Sequence, residues 1–217
     1  MKKVAVILSG CGARDGSEIR ESICLLLSLS QLNVKYECFS INKPQAIVFD
    51  HYNDKVAQGE TRNMLIESAR IARGKVKDIK TLNMNDFDGI AFAGGYGAGL
   101  NLSNFAITNS TNFTVEPDVE NAILSCKKAD KPMYFLCISP VIVAKVLGNV
   151  KITLGGKNEV SQKISELGTE IETQTLNKPT FDEKNKIITT PCYMLEINLA
   201  ELYQGIFEGA KIFASIL

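Results

Sequence analysis

Lys131-Pro132-Met133-Tyr134-Phe135-Leu136-Cys137-Ile138-Ser139-Pro140 is a short apolar run that ends in a cysteine and meets a helix start at once. Pro132 leaves no room for a helix through Met133 to Leu136, so these four residues read as a buried strand. Pro140 suits the first helical position, Ser139 is the expected N-cap, and Val141 to Leu147 continue as an apolar helix. Cys137 therefore falls on a sharp strand-to-helix turn, the place of a nucleophile elbow. Helix-terminal N–H groups and the helix dipole there are expected to favour a thiolate. A buried structural cysteine is the competing reading, because free cysteines usually belong to cores.

Outward from this elbow, strands and helices alternate. Val4 to Leu8 is a continuous apolar run, followed by the loop Ser9 to Gly16, a helix over Ser17 to Gln31 and a strand over Val34 to Ile41. Ile19, Ile23, Leu26, Leu27 and Ser30 share one face of that helix and are its expected core side. Pro44 to Gly59 reads as irregular, and a helix follows to about Arg73. Gly89 to Ala93 is a second buried strand, running into Gly94-Gly95-Tyr96-Gly97-Ala98-Gly99. Pro117 opens a helix to about Ala129. Beyond the elbow come strands at Val150 to Leu154 and Lys186 to Thr190, a helix at Glu159 to Leu167, and a terminal helix from Met194 or Leu195 to Ile216. No linker or repeat divides residues 1–217. The alternation predicts a single α/β domain with a doubly wound, mostly parallel sheet and helices on both faces.

Composition narrows the classes. Lysine plus arginine and aspartate plus glutamate each number 24 in 217 residues, so no net charge draws the chain to nucleic acid or a membrane surface. No apolar run reaches transmembrane length. Lys2-Lys3 before Val4 to Leu8 is too short an apolar stretch for a leader and reads as the first strand. The six cysteines show no CxxC or other metal spacing, and a core this large needs no disulfide staples. A reducing, cytoplasmic setting is expected. A site built from Cys11, Cys137 and Cys192 has no spacing rule behind it, so no metal is expected.

In such a fold, ligands bind at the carboxyl ends of the strands. Gly10 to Gly16, Gly94 to Gly99 and Cys137-Ile138 gather there, with Thr190 to Tyr193 as a fourth segment. Gly10-Cys11-Gly12 with Gly16 approaches a dinucleotide fingerprint, but its third glycine is late. Ser40, Asn42 and Lys43 stand where an acidic ribose ligand belongs, so no cofactor is implied. Cys137 facing a glycine-rich loop suits acyl or thiohemiacetal chemistry, with the N–H groups of Gly95, Tyr96 and Ile138 as candidate oxyanion donors. Glu18, in the first helical turn, is the candidate proton carrier. Cys11 and the only histidine, His51, are candidate assistants.

Seven segments carry a resemblance to a known family: Val6-Ile7-Leu8-Ser9-Gly10-Cys11-Gly12, Asp15-Gly16-Ser17-Glu18-Ile19, Glu60-Thr61-Arg62-Asn63, Gly94-Gly95-Tyr96-Gly97-Ala98, Asn101-Leu102-Ser103-Asn104-Phe105-Ala106, Cys137-Ile138-Ser139-Pro140 and Thr189-Thr190-Pro191-Cys192-Tyr193-Met194. They span nearly the whole chain in order. It resembles the ThiJ/PfpI superfamily, with its class-I-glutaminase-like (flavodoxin-like) fold, and within it the ElbB, or isoprenoid-biosynthesis-associated, family. The resemblance implies a reactive cysteine at Cys137, a buried glutamate beside it at the position of Glu18, and a homodimer. It implies glutathione-independent glyoxalase chemistry on a small dicarbonyl substrate. One departure matters: Ile138-Ser139 follow Cys137 where amidotransferases and peptidases of the superfamily carry a histidine nearby or downstream. Those two activities are therefore not expected. Two alternatives stay open: a redox sensor in which Cys137 becomes a sulfinic acid, and a non-enzymatic regulator linked to isoprenoid metabolism.

Overall fold

The computed structural model describes residues Met1–Leu217. In chain order the elements are β1 (Lys3–Ile7), α1 (Ile19–Gln31), β2 (Lys35–Ser40), β3 (Phe49–Asp50), β4 (Lys55–Val56), α2 (Met64–Ile71) and β5 (Val76–Asp78). Then come β6 (Gly89–Phe92), α3 (Gly97–Leu100), α4 (Phe105–Thr108), α5 (Pro117–Lys128), β7 (Met133–Leu136), α6 (Pro140–Leu147), β8 (Lys151–Ile152) and α7 (Glu159–Ser165). β9 (Glu170–Ile171), β10 (Thr180–Asp182), β11 (Ile187–Thr190) and α8 (Leu199–Ser215) complete the chain.

Seven strands form one sheet in the order β10-β11-β7-β6-β1-β2-β5. All neighbours are parallel except β10 and β11. This is the doubly wound architecture that alternating apolar runs and amphipathic helices predict. β1 and β7 are buried throughout their apolar residues because helices cover both faces. The chain winds from β1 through β2 towards β5, then crosses back to β6 on the other side of β1. That reversal opens a crevice outside the carboxyl ends of β1 and β6. No helix is long and apolar enough to cross a membrane.

β7 is pinned from both sides. Phe135 stacks on Phe92 of β6 with ring centroids 4.6 Å apart. Tyr134 Oη donates to the carbonyl of Ile206 at 3.0 Å and lies 2.9 Å from Thr190 Oγ1, tying β7 and β11 to α8. Gly209 makes this approach feasible: a Cβ there would stand 2.3 Å from Tyr134 Oη.

Several sequence expectations shift. The core side of α1 is not the Ile19/Ile23/Leu27 stripe, whose members are 49%, 47% and 46% exposed. The buried side carries Glu21, Ser22, Cys24, Leu25, Leu26, Ser28 and Leu29. α1 is apolar on two sides, and packing against α8 selects the side rich in small and polar residues. Leu199 is exposed at the start of α8, while Leu202, Ile206, Ala210 and Phe213 along its inner face are buried. Val150 to Leu154 contributes only the short β8, paired with β9 outside the main sheet. The segment expected to be irregular before residue 60 holds the β3–β4 hairpin.

Phe135→Ala removes a fully buried ring from the stacked pair and is expected to destabilise the protein by roughly 3–5 kcal/mol. Denaturant unfolding measures this directly; a loss under about 1 kcal/mol would show that β7 repacks freely.

Candidate active site

Cys137 follows directly on β7 and adopts φ +59°, a left-handed conformation that an L-residue holds only when its surroundings impose it. Its N–H donates to the carbonyl of Thr190 at 2.9 Å. Ser139 does not cap α6; its hydroxyl donates to the Leu136 carbonyl at 2.8 Å and accepts the Leu136 N–H at 3.0 Å, closing the elbow on itself.

The carboxyl that meets the thiol belongs to Glu21, in the first turn of α1. Glu21 is fully buried. Its Oε1 accepts the N–H of Tyr193 at 3.2 Å. Its Oε2 has no hydrogen-bond partner and adjoins Cys137 across Gly94. Burial pushes Glu21 up from 4.5 to about 8, with the nearby Glu18 charge adding to the effect, so it carries a proton at neutral pH. The Cys137 thiol is also pushed well up, first by burial and then by the Glu21 charge. The N–H groups of Gly95 and Ile138 point at the sulfur and pull the other way. The expectation of a thiolate favoured by the helix terminus is therefore corrected: desolvation outweighs the dipole, and ionisation of the thiol is coupled to the proton on Glu21.

Gly94 makes the pair possible. A Cβ at that position would lie 1.9 Å from Glu21 Oε2 and 2.5 Å from Cys137 Cβ. Gly95 follows at φ +101°, where a Cβ would strike the Glu18 nitrogen at 2.3 Å. The pair opens into a cavity of about 630 Å³ walled by Arg14, Glu18, Tyr96, Ile138, Val160 and Tyr193, among others.

No protein-family model matches the chain. It is 38% identical to the human glutamine amidotransferase-like class 1 domain-containing protein 3, mitochondrial, over 97% of this chain and 81% of the relative. It is 30% identical to the zebrafish ES1 protein, mitochondrial, over 95% and 81%. A crystal structure from Ehrlichia chaffeensis, described as an isoprenoid biosynthesis protein with amidotransferase-like domain, superposes with a TM-score of 0.91 at 37% identity, covering 99% of this chain and 100% of that one. The chain belongs to this ElbB-like family. Drosophila DJ-1β shares the fold, with a TM-score of 0.55 at 15% identity, over 99% of this chain and 91% of that one.

Within this ElbB-like site, the sequence-predicted residues separate. Cys137, Gly95 and Ile138 come together as expected, and Tyr193 joins them from the turn after β11. Glu18 lines the cavity but is not the glutamate on the thiol. Its carboxylate caps α1, accepting the Glu21 N–H at 2.6 Å, and burial raises its pKa. The Tyr96 N–H is already committed to the Ala13 carbonyl at 2.9 Å, so only Gly95 and Ile138 offer free donors. His51 stands outside the cavity. Its Nε2 accepts the Arg14 N–H at 3.2 Å and its Nδ1 donates to the Phe49 carbonyl at 3.1 Å, so the ring ties the glycine loop to β3. Cys11 is also outside, among Glu67, Arg70, Asp15 and Arg62, and its thiol is pushed up by burial. No three ligating side chains converge to hold a metal.

Glu21 was missed because an acid in the first turn of a helix ordinarily reads as a solvated dipole partner. The available signal was its spacing: Glu21, Leu25 and Ser28 or Leu29 follow one helical row. Asn158 and Val160, from the start of α7, carried no chemical signature at all.

Glu21 gives the native state a proton that the unfolded chain has lost. Its contribution to stability is complete below about pH 4.5 and lost as pH rises through about 8. Wild-type stability is expected to fall across that window, and Glu21→Gln to flatten the fall. Urea unfolding at several pH values measures both slopes, and identical slopes would remove Glu21 as their cause.

Proposed function

We propose that the protein is a glutathione-independent glyoxalase that converts small α-oxoaldehydes to hydroxy acids. The observation that carries this reading is a thiol in direct contact with a protonated, buried carboxyl, beside two free N–H groups and without a histidine. The Cys137 sulfur adds to the aldehyde carbon as its proton passes to Glu21, while the proton Glu21 already carries is released to the developing oxyanion. The new oxyanion lies against the Gly95 and Ile138 N–H groups and takes up a proton, giving a hemithioacetal. Glu18, whose burial brings it nearer neutrality, removes the carbon-bound proton and returns it to the adjacent carbon through an enediol. The resulting thioester is cleaved by water, which frees the thiol and releases the hydroxy acid. Overall, one water is added and no redox partner is needed.

A histidine-dependent amidotransferase or peptidase mechanism has no base here, since both nitrogens of His51 are bonded to backbone groups, of Arg14 in the glycine loop and of Phe49 in β3. The fold and family agree with this proposal but also with the sensor reading, and the substrate test separates them. A homodimer accompanies the proposal on family resemblance, and light scattering measures it. The link to isoprenoid metabolism, which the Ehrlichia relative bears in its name, belongs to the regulator alternative.

The deciding experiment follows lactate or glycolate formed from methylglyoxal or glyoxal without glutathione. Cys137→Ala is expected to fall to background. Glu21→Gln is expected to lose about 10²–10⁴-fold in kcat, the range for a positioned proton-transfer group. His51→Ala is expected to keep its rate. Full turnover by Cys137→Ala would falsify the mechanism, and no product from the wild type would move the assignment to the redox sensor.

A further inference from the structure

Cys192 is a buried thiol that the proposed chemistry leaves unused. It is fully buried, free, and held at φ +51°, a second cysteine in the left-handed region. Its neighbours place it beside the nucleophile. β7 and β11 run parallel with Leu136 opposite Thr190. Past that pair, the Thr190 carbonyl accepts the Cys137 N–H at 2.9 Å. Three residues on, the Tyr193 N–H donates to Glu21 Oε1 at 3.2 Å. The other oxygen of Glu21 adjoins Cys137 across Gly94. Cys192 thus lies inside a ring closed by Cys137, Thr190, Tyr193 and Glu21. Burial first, then the Glu21 and Cys137 charges, push the Cys192 thiol well up. Cys192 sits in the turn after β11, one residue beyond the position that continues the register opposite Cys137.

We propose that Cys192 is the resolving thiol for an oxidised Cys137. A hydroperoxide entering the cavity supplies the oxidant. Cys137 sulfur takes the terminal hydroxyl of the peroxide, the O–O bond breaks, and the thiol proton leaves with the alkoxide as an alcohol. Cys192 then attacks the Cys137 sulfur: an S–S bond forms, the S–O bond breaks, and the hydroxyl leaves as water with the proton from Cys192. Two thiols are oxidised, one peroxide is reduced, and an external dithiol reverses the change. The disulfide masks the nucleophile and diverts it from sulfinic acid, the irreversible step for most proteins. None of this depends on the glyoxalase reading.

The test exposes the full-length protein to equimolar tert-butyl hydroperoxide, blocks free thiols with N-ethylmaleimide and maps peptides without reduction. The expected product has lost two hydrogens and contains a Cys137–Cys192 cross-linked peptide, which dithiothreitol removes. In Cys192→Ala the same dose is expected to leave a dimedone-reactive Cys137 sulfenic acid, which gains its second oxygen when a further equivalent of hydroperoxide is added. The proposal is overturned if the wild type accumulates sulfenic or sulfinic Cys137 as fast as the variant. It is equally overturned if Cys137 pairs with Cys11 or Cys24, or is not oxidised. Should Cys192→Ala fail to fold, the wild-type peptide map alone decides.

Discussion

A carboxyl buried against a thiol is the constraint on which the rest of the site depends. Neither group can be ionised cheaply away from water, and two adjacent anions are worse still. Burial raises Glu21 to about 8, and burial followed by the Glu21 charge lifts the Cys137 thiol, so the pair holds a proton. The surrounding backbone is shaped to allow this contact. Gly94 has no side chain because one would overlap both partners. Tyr193 supplies the only N–H donor to the carboxyl, bringing the turn after β11 to the elbow after β7.

The glycine loops then hold the geometry from behind. Glu18 and Gly97 donate their N–H groups to the Gly94 and Gly16 carbonyls, each at 2.9 Å. Asn101 Nδ2 donates to the carbonyls of Ser9 at 2.9 Å and Asp15 at 2.7 Å. His51 adds its brace at Arg14. Together these bonds join the loops after β1 and β6 into one body, so the donors at Gly95 and Ile138 are oriented before any ligand arrives. This explains why so many polar residues in the recognisable motifs never touch the cavity: they position backbone.

Much of the fold is legible along the chain because apolar runs, helix periods and glycine punctuation are local. The elbow is legible for the same reason: proline on both sides of Met133 to Leu136 and Cys137 forces a strand, then a turn, then a helix. The short β8 and β9 and the β3–β4 hairpin were less readable, since two-residue strands leave almost no pattern. Helix phase was the main error. In α1, Ile19, Ile23 and Leu27 promised a core face, yet Ser22 and Ser28 went inside with Leu25 and Leu29. Close helix packing favours small side chains, and hydroxyls satisfied within the helix bury at little cost; Ser28 Oγ donates to the Cys24 carbonyl at 2.7 Å.

The sequence by itself determined the doubly wound sheet, the family, the cysteine at the elbow and the glycine loops around it, because each is written in neighbouring residues. The tertiary structure alone decided which glutamate reaches the thiol, which amides remain free, and that His51 and Cys11 lie outside the cavity. Those outcomes turn on the rotation of α1 against α8 and on hydrogen bonds between segments far apart in the chain. A rotation of less than one helical turn separates Glu18, the helix cap, from Glu21, the partner of Cys137, and no local pattern distinguishes the two.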